Sequence, residues 1–324
     1  LEKTKQQGFH FKAAFELEFF LLQSERNSGE KPNLPCLLKE QTSEGQLYSI
    51  SSLDLCGKWM EEISEHCNAM DIPADTFVAE LAPGQFEINL NYVSDPLLAC
   101  EHVLLLKQVI KGTVKNHGMN ATFMAKPFPS LPGSGMHLHL SLYDEVGNNL
   151  WSESNSSKLR QALAGVLDLM PESMIFYAPH ANSYHRFHEN SYAPINASWG
   201  IDNRTTALRI PSGRKDSTRI ESRLAGADAN PYLVMLMMLT GILHGFKENP
   251  DLPPETIGNG YGNGSIPLPN SWEKALDHFK NGGKLSSKLG EDFCKLYTDL
   301  KLGELKRFQS IITPHEYDWY LHNV

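Results

Sequence analysis

Two glutamates separated by one residue, Glu16 and Glu18, stand in the segment Phe15-Glu-Leu-Glu-Phe19. On a strand, residues i and i+2 share a face, so the two carboxylates lie side by side with Phe15, Leu17 and Phe19 on the reverse. A strand this aromatic has at least one face in the core, and paired carboxylates there repel and are costly to desolvate unless a cation holds them. The same alternation also describes an amphipathic strand with a solvated acidic face, and the segment alone leaves both readings open. A second pair, Glu80 and Glu87, brackets the turn signal Pro83-Gly84, across whose arms the two could meet. A third group is Gly133-Ser-Gly-Met-His137-Leu-His139-Leu-Ser141. Its glycines permit close backbone approach, and both histidines and the serine then share one strand face, a pattern suited to metal or phosphate. The fourth, Arg219-Ile-Glu221-Ser-Arg223, sets three charged groups on one face. It reads either as an ion-pair network or as arginines that bind an anion beside a metal-ligating carboxylate. Arg186, Arg204 and Arg209 add cations within segments otherwise rich in Asn, Ser, Thr and Pro.

Five carboxylates, two histidines and several arginines together suit one task. Hard oxygen ligands select Mg2+ or Mn2+, ions that need few protein ligands and keep positions open for phosphate oxygens. Arginines neutralise a transferring phosphoryl group, a step that depends on positioning and charge stabilisation. The sequence contains no Walker A motif, no GxGxxG after a strand and no kinase signature, so nucleotide chemistry here requires another scaffold.

The elements that must carry these residues are legible in part. Residues 9–22 read as a buried strand, 24–47 as a loop, and Ser52 to Met70 as a helix behind a serine cap. Strands are expected at Thr76–Glu80, Gln85–Asn91, Ala121–Ala125, His137–Tyr143, Thr206–Ile210 and Arg219–Arg223. Helices are expected at Asp95–Asn116, Lys158–Met170 and Asn230–Phe246, with an amphipathic helical tail from Ser271 to Asn323. The Gly- and Pro-rich stretch Asn249–Pro269 is either an ordered loop or a mobile flap. Strands mixed irregularly with helices indicate an α+β fold around a curved, mostly antiparallel sheet.

Composition narrows the partners. The 324 residues are 41% hydrophobic and 21% charged, with a formal net charge of −9. That acidity argues against a nucleic-acid or anionic-membrane surface, and any anionic substrate must be held by locally placed cations. No apolar run approaches the roughly 20 residues a membrane span needs. Leu1-Glu-Lys-Thr-Lys-Gln-Gln lacks the apolar core of a signal peptide. Cys36, Cys56, Cys67, Cys100 and Cys294 are odd in number, far apart and without CxxC spacing, which reads as reduced thiols in a cytoplasmic protein.

Taken in order, the segments ELEFF, PGQFEI, TFMAKP, GSGMHLHLSL, WGIDNRTTALRIPSG and RIESRLAGADANPY resemble the catalytic domain of the glutamine synthetase family, from about Phe9 to the C-terminus. The resemblance implies that divalent ions sit at the narrow end of a funnel. Glu18, Glu80 and Glu87 would hold one, and Glu16, His137 and Glu221 the other. His139 and Ser141 would lie at ATP, with Arg204, Arg209 and Arg219 on its phosphates. Arg186, Arg223 and the backbone at Gly133 would grip a glutamate-like acid. The implied reaction has two steps: ATP phosphorylates the side-chain carboxylate, and an amine then displaces phosphate to form an amide. Arg204, Glu221 and Tyr192 would stand closest to that chemistry. The resemblance further implies a preceding N-terminal β-grasp domain, with residues 1–8 as its linker and 9–324 as the catalytic domain. It also implies a homo-oligomer, a dodecamer of two hexameric rings for the full-length chain.

Two departures bear on the nucleophile. Members that use ammonia carry a flap glutamate where Tyr192 stands in Arg186-Phe-His-Glu-Asn-Ser-Tyr-Ala-Pro194, with Glu189 nearby but out of register. The Asn that usually precedes Gly-x-Gly-Met-His is Pro132. In both respects the chain is more similar to γ-glutamylpolyamine synthetases and related γ-glutamylamide ligases, in which a primary amine replaces ammonia. The alternatives are an ammonia-using glutamine synthetase and a catalytically silent scaffold. Retention of all six expected metal ligands argues against the scaffold.

Overall fold

The computed structural model describes residues 2–27, 29–39, 53–152, 156–262 and 266–324. In chain order its principal elements are β1 (His10–Gln23), α1 (Gly57–Ala69), β2 (Ala74–Ala79), β3 (Gln85–Leu90), α2 (Pro96–Asn116), β4 (Met119–Thr122), β5 (Met136–Tyr143) and α3 (Ser157–Tyr177). These are followed by β6 (Asn196–Ala197), β7 (Trp199–Ile201), β8 (Leu208–Ile210), β9 (Ile220–Ser222), α4 (Pro231–Glu248), β10 (Ile266–Pro267), α5 (Trp272–Gly282), α6 (Glu291–Gln309) and α7 (Pro314–Tyr320). The main sheet runs β2-β3-β1-β5-β9-β8-β7, with β4 also pairing β1. Every pairing in it is antiparallel except β7 with β8.

Strand β1 is the spine. Its residues alternate strictly, Phe11, Ala13, Phe15, Leu17 and Phe19 buried and Lys12, Ala14, Glu16 and Glu18 half-buried. The apolar face is covered by α1 and α2. There Phe19, Trp59, Phe86 and Phe123 form an aromatic cluster with ring centroids 5.3–6.5 Å apart, the edge-on and tilted geometry that aromatic quadrupoles favour. A second cluster, Phe176, Phe279, Phe293 and Tyr297, ties α3 to α5 and α6.

Helix boundaries follow local chemistry. Asp95 caps α2 by accepting from Leu97 N at 2.9 Å, with Pro96 in the first turn. Asn230 caps α4 by the same logic. Helix α1 begins later than the serine-capped start, at Gly57, and Ser52 lies outside the described residues. Helix α3 runs past Met170 to Tyr177 because Pro171 is accommodated inside it, where burial of Met174, Ile175, Phe176 and Tyr177 outweighs one lost backbone bond. The strand expected at Ala121–Ala125 lies instead at Met119–Thr122, since Phe123 turns into the aromatic cluster. The strand expected from Thr206 starts at Leu208 because Asn203 captures Thr205 and Thr206 in a side-chain turn. Asn249–Pro269 is an ordered loop among its described residues. Pro253 O accepts from Trp199 Nε1, Thr256 and Gly258 accept from Asn203, and β10 pairs β6. The tail is helical as expected, and α7 is exposed throughout.

Helices α3 and α4 approach closely through glycines. A side chain on Gly165 or Gly245 would run into the facing backbone, and a Cβ on Gly241 would lie 2.7 Å from Val166 Cα. Gly241→Ala is therefore expected to lower unfolding stability by about 1–3 kcal/mol, the usual cost of overpacking. Urea denaturation measures it, and an unchanged midpoint would contradict the close crossing.

Candidate active site

The register of the sheet assembles the expected residues. Across β1 and β3, Glu18 faces Glu87; across β1 and β5, Glu16 faces His137; and across β5, β9 and β8, His139, Glu221 and Arg209 form one row. Because every member lies on the face opposite the aromatic core, strand pairing alone gathers carboxylates from three strands.

The contacts are close. His137 Nδ1 lies 3.0 Å from Glu16 Oε2 and 3.9 Å from Glu221 Oε1, and its Nε2 lies 4.0 Å from Glu18 Oε1. His139 Nε2 faces Glu16 Oε1 at 2.9 Å. Arg219 Nε donates to His139 Nδ1 at 3.1 Å. Glu18 Oε2 accepts from the backbone N of Gly135 at 2.8 Å and from Gln85 Nε2 at 3.3 Å.

Charge separates the carboxylates into two kinds. Burial pushes the Glu16 carboxyl up, but bonds from His137 and His139 and their charges outweigh it and hold it well below the ordinary range. For Glu221, burial is likewise overcome, by Arg223 and then the histidines, and its pKa falls to about 2. Glu87 has no such cation: burial, then the charges of Glu16, Glu18 and Glu80, push it up to about 9. Burial and Glu18 push Glu80 up to about 7, against a smaller opposing pull from Arg204.

The arginines divide similarly. Glu221, fully buried, is gripped by Arg223 Nη1 through Oε1 and by Arg209 Nη1 through Oε2 at 2.6 Å. Arg209 also reaches Asp202 at 3.2 Å, and Arg223 Nε donates to the carbonyl of Arg204 at 3.1 Å. Arg186, 5% exposed, donates to Leu224 O at 3.0 Å. It lies against Gly133, where an added Cβ would come within 2.7 Å of Ala125 O and so cannot be accommodated. Ser141 continues the face of His139 and pairs in register with Lys12. Arg204 is exposed at the rim near Glu80. Tyr192 sits apart on an exposed turn, 61% exposed, with φ 57°.

The family is settled by comparison with known proteins. Residues 1–320 match the family model "Glutamine synthetase, catalytic domain". The chain belongs to this family. It is 42% identical over 327 residues to gamma-glutamylputrescine synthetase PuuA of Escherichia coli (strain K12), an alignment covering 99% of this chain and 69% of that protein. It is 32% identical to glutamate–isopropylamine ligase of a Pseudomonas species, covering 99% and 71%, and 31% identical to gamma-glutamylethanolamide synthetase GlnA4 of Streptomyces coelicolor (strain ATCC BAA-471 / A3(2) / M145), covering 99% and 68%. Among solved structures, a GmaS/ADP complex superposes with a TM-score of 0.86 at 26% identity, covering 99% of this chain and 75% of that one.

Among the described residues of this glutamine synthetase-type domain, two sets of ligand atoms fit a divalent cation. They are Glu16, His137 and Glu221, and Glu18, Glu87 and His137, each set lying within 4.8 Å of one another. The first is the expected trio. The second joins Glu18 and Glu87 of the other expected trio with His137, and Glu80, the third member of that trio, is near enough for its charge and that of Glu18 to oppose each other. The donor chemistry, carboxylate oxygen with one imidazole, suits Mg2+ or Mn2+. Two further participants went unread in the sequence, Gln85 and Asp202. Gln85 shares the strand face of Glu87 by simple alternation, so the signal was present in PGQFEI. Asp202, in a turn at φ 49°, carried none.

A carboxylate whose folded pKa is raised favours folding only while protonated. The metal-free protein should therefore lose stability as pH rises from about 4.5 through about 7 for Glu80 and about 9 for Glu87. A divalent ion requires the deprotonated ligands and reverses that loss. Mg2+ is thus expected to raise the melting temperature more at pH 8 than at pH 6, with EDTA removing the gain. Equal gains at both pH values in a thermal-shift titration would contradict it.

Proposed function

We propose that this protein is an ATP- and Mg2+-dependent ligase that joins glutamate to a primary amine through γ-glutamyl phosphate, giving a γ-glutamyl amide. The observation that carries the reading is the juxtaposition of the Glu16–His137–Glu221 cluster with Arg209, Arg219 and Arg223. Its membership of the family and its likeness to three proteins named as amine ligases support it. The γ-phosphoryl of ATP passes to the side-chain carboxylate and ADP leaves. The amine nitrogen then attacks the acyl carbon, phosphate departs, and the nitrogen loses a proton.

Each group has a proposed part. Glu16, His137 and Glu221 hold one divalent ion, and Glu18, Glu87 and Glu80 surround a second. When bound, the ions neutralise phosphate charge and orient the oxygens. Arg204, Arg209 and Arg219 face the phosphates, with His139 and Ser141 at the nucleotide. Arg186, Arg223 and the Gly133 backbone hold the α-carboxylate end of the acid, a role suited to buried, planar guanidinium groups. Tyr192, in place of a flap carboxylate, supports an organic amine over ammonia. A cytoplasmic location is in keeping with the five unpaired thiols, and among the described residues no helix is long and apolar enough to cross a membrane. A dodecamer of two six-membered rings is the proposed assembly, supported by apolar side chains left exposed at the C-terminal end, among them Ile311, Ile312, Trp319 and Leu321.

Phosphate release from ATP, Mg2+ and glutamate should be several-fold faster with putrescine or ethylamine than with ammonia. Equal rates would overturn the amine preference, and no turnover with any of them would point to another acid or a silent protein. Glu221→Ala removes a ligand and the carboxylate shared by Arg209 and Arg223, so kcat should fall by ~100-fold or more. Metal-dependent nucleotide binding should also disappear in calorimetry.

A further inference from the structure

Beyond the cluster, one acidic side chain converges on the segment that ends in Arg186. Asp228 lies in the turn between β9 and α4, and its side chain is 12% exposed. Its Oδ2 accepts from Ser183 Oγ at 2.6 Å and lies 3.0 Å from His180 Nδ1. The same Ser183 hydroxyl accepts from His180 N at 3.2 Å. Both partners belong to the start of the 3-10 helix Ala181–Arg186, whose last residue is Arg186. Asp228 Oδ1 is buried and has no hydrogen-bond partner among the described residues. That oxygen points at Gly226, whose position also abuts Arg186 Nη1. The charge of Asp228 acts on two buried cations, Arg186 and Lys107, and Lys107 Nζ in turn donates to Ala227 O at 2.6 Å.

We infer that Asp228 is a positioning residue for the acid subsite: it fastens the 3-10 helix at one end and presents negative charge to Arg186 at the other. The inference rests on the reading of Arg186 as a substrate contact. The fully buried guanidinium hydrogen-bonds one carbonyl, lies over the Phe187 ring and feels the charge of Glu18 from the metal-ligand side. A second carboxylate on its other side therefore lowers the cost of burying it. The free Oδ1 supplies part of that compensation without closing an ion pair, which leaves the guanidinium able to take a substrate carboxylate. A directly paired Asp228 would compete for the same N–H groups.

The test uses the intact protein and three variants, Asp228→Asn, Ser183→Ala and Arg186→Gln, with initial rates against glutamate and against ATP and a melting curve for each. Asp228→Asn keeps the shape and removes the charge, and KM for glutamate should rise by ~10-fold while KM for ATP changes little. Ser183→Ala, which removes the hydroxyl's bonds to Asp228 and His180 N but leaves the Asp228 charge, should raise the glutamate KM by ~3-fold, and it carries the test if Asp228→Asn does not fold. A rise in the glutamate KM for Arg186→Gln without one for Asp228→Asn or Ser183→Ala overturns the inference. So does an equal rise in both KM values accompanied by a lower melting temperature. An unchanged glutamate KM in Arg186→Gln would instead remove the reading of Arg186 itself.

Discussion

Mutual repulsion among carboxylates on one face of β1 and its neighbours is the constraint around which the molecule is arranged. Glu18 opposite Glu87, with Glu16 and Glu80 close by, is a concentration of like charge that a fold relying on apolar burial does not tolerate unaided. Where His137, His139 and Arg223 stand opposite, the carboxylates are held ionised. Where burial and other carboxylates dominate, as at Glu87, the carboxyl retains its proton until a cation arrives. The site is thus half-neutralised by protein and half left for an ion. The stiffness that keeps these charges together comes from the reverse face, where Phe15, Leu17 and Phe19 bury among Trp59, Phe86 and Phe123. One alternating strand supplies both the tension and its restraint.

That division explains what was readable in advance. A period of two over residues 10–19 is a local signal, and it located the spine, its core face and the two glutamates together. The same holds for Asp95-Pro96 and Asn230-Pro231, where cap chemistry marks helix starts within one residue. What stayed hidden was set at long range. Trp199–Ile201 is a three-residue strand whose partner β8 is parallel, too short to show a period. Asn196–Ala197 is a strand only because Ile266–Pro267 returns to it. Pro171 signals an end that tertiary packing cancels. Within the site, alternation located Glu16 with Glu18 and His137 with His139. The grouping of ligands across strands depends on register, which the period of a single strand does not show.

Glu221 joins the two halves of the site. It is a potential metal ligand and the shared anchor of Arg209 and Arg223, so the two arginines proposed to serve phosphate and substrate are oriented by the carboxylate that would face the ion. Such sharing is economical in sequence: Arg209, Glu221 and His139 occupy one cross-strand row and need no loop to bring them together. It also means that the charge states of the groups around it are coupled, since a change at Glu221 is felt by Arg209, Arg223 and His137 together.

The chain just beyond Arg186 has the opposite character. Arg186 itself is buried and tied to Leu224, at the end of a helical turn fastened through Ser183. Four residues later the backbone enters the left-handed region at Asn190 (φ 62°) and again at Tyr192 (φ 57°), a conformation that disfavours side chains with a Cβ. Two such residues so close together lower the cost of remodelling the turn, because alternative backbone states relieve rather than add strain. On the proposed reading of Arg186, a rigid contact for the acid is followed at once by an exposed turn whose backbone is easily reshaped, an arrangement that suits acceptors of varied size. On this view the choice of nucleophile resides in residues 187–194, and the phosphoryl chemistry in the sheet behind them is left unchanged.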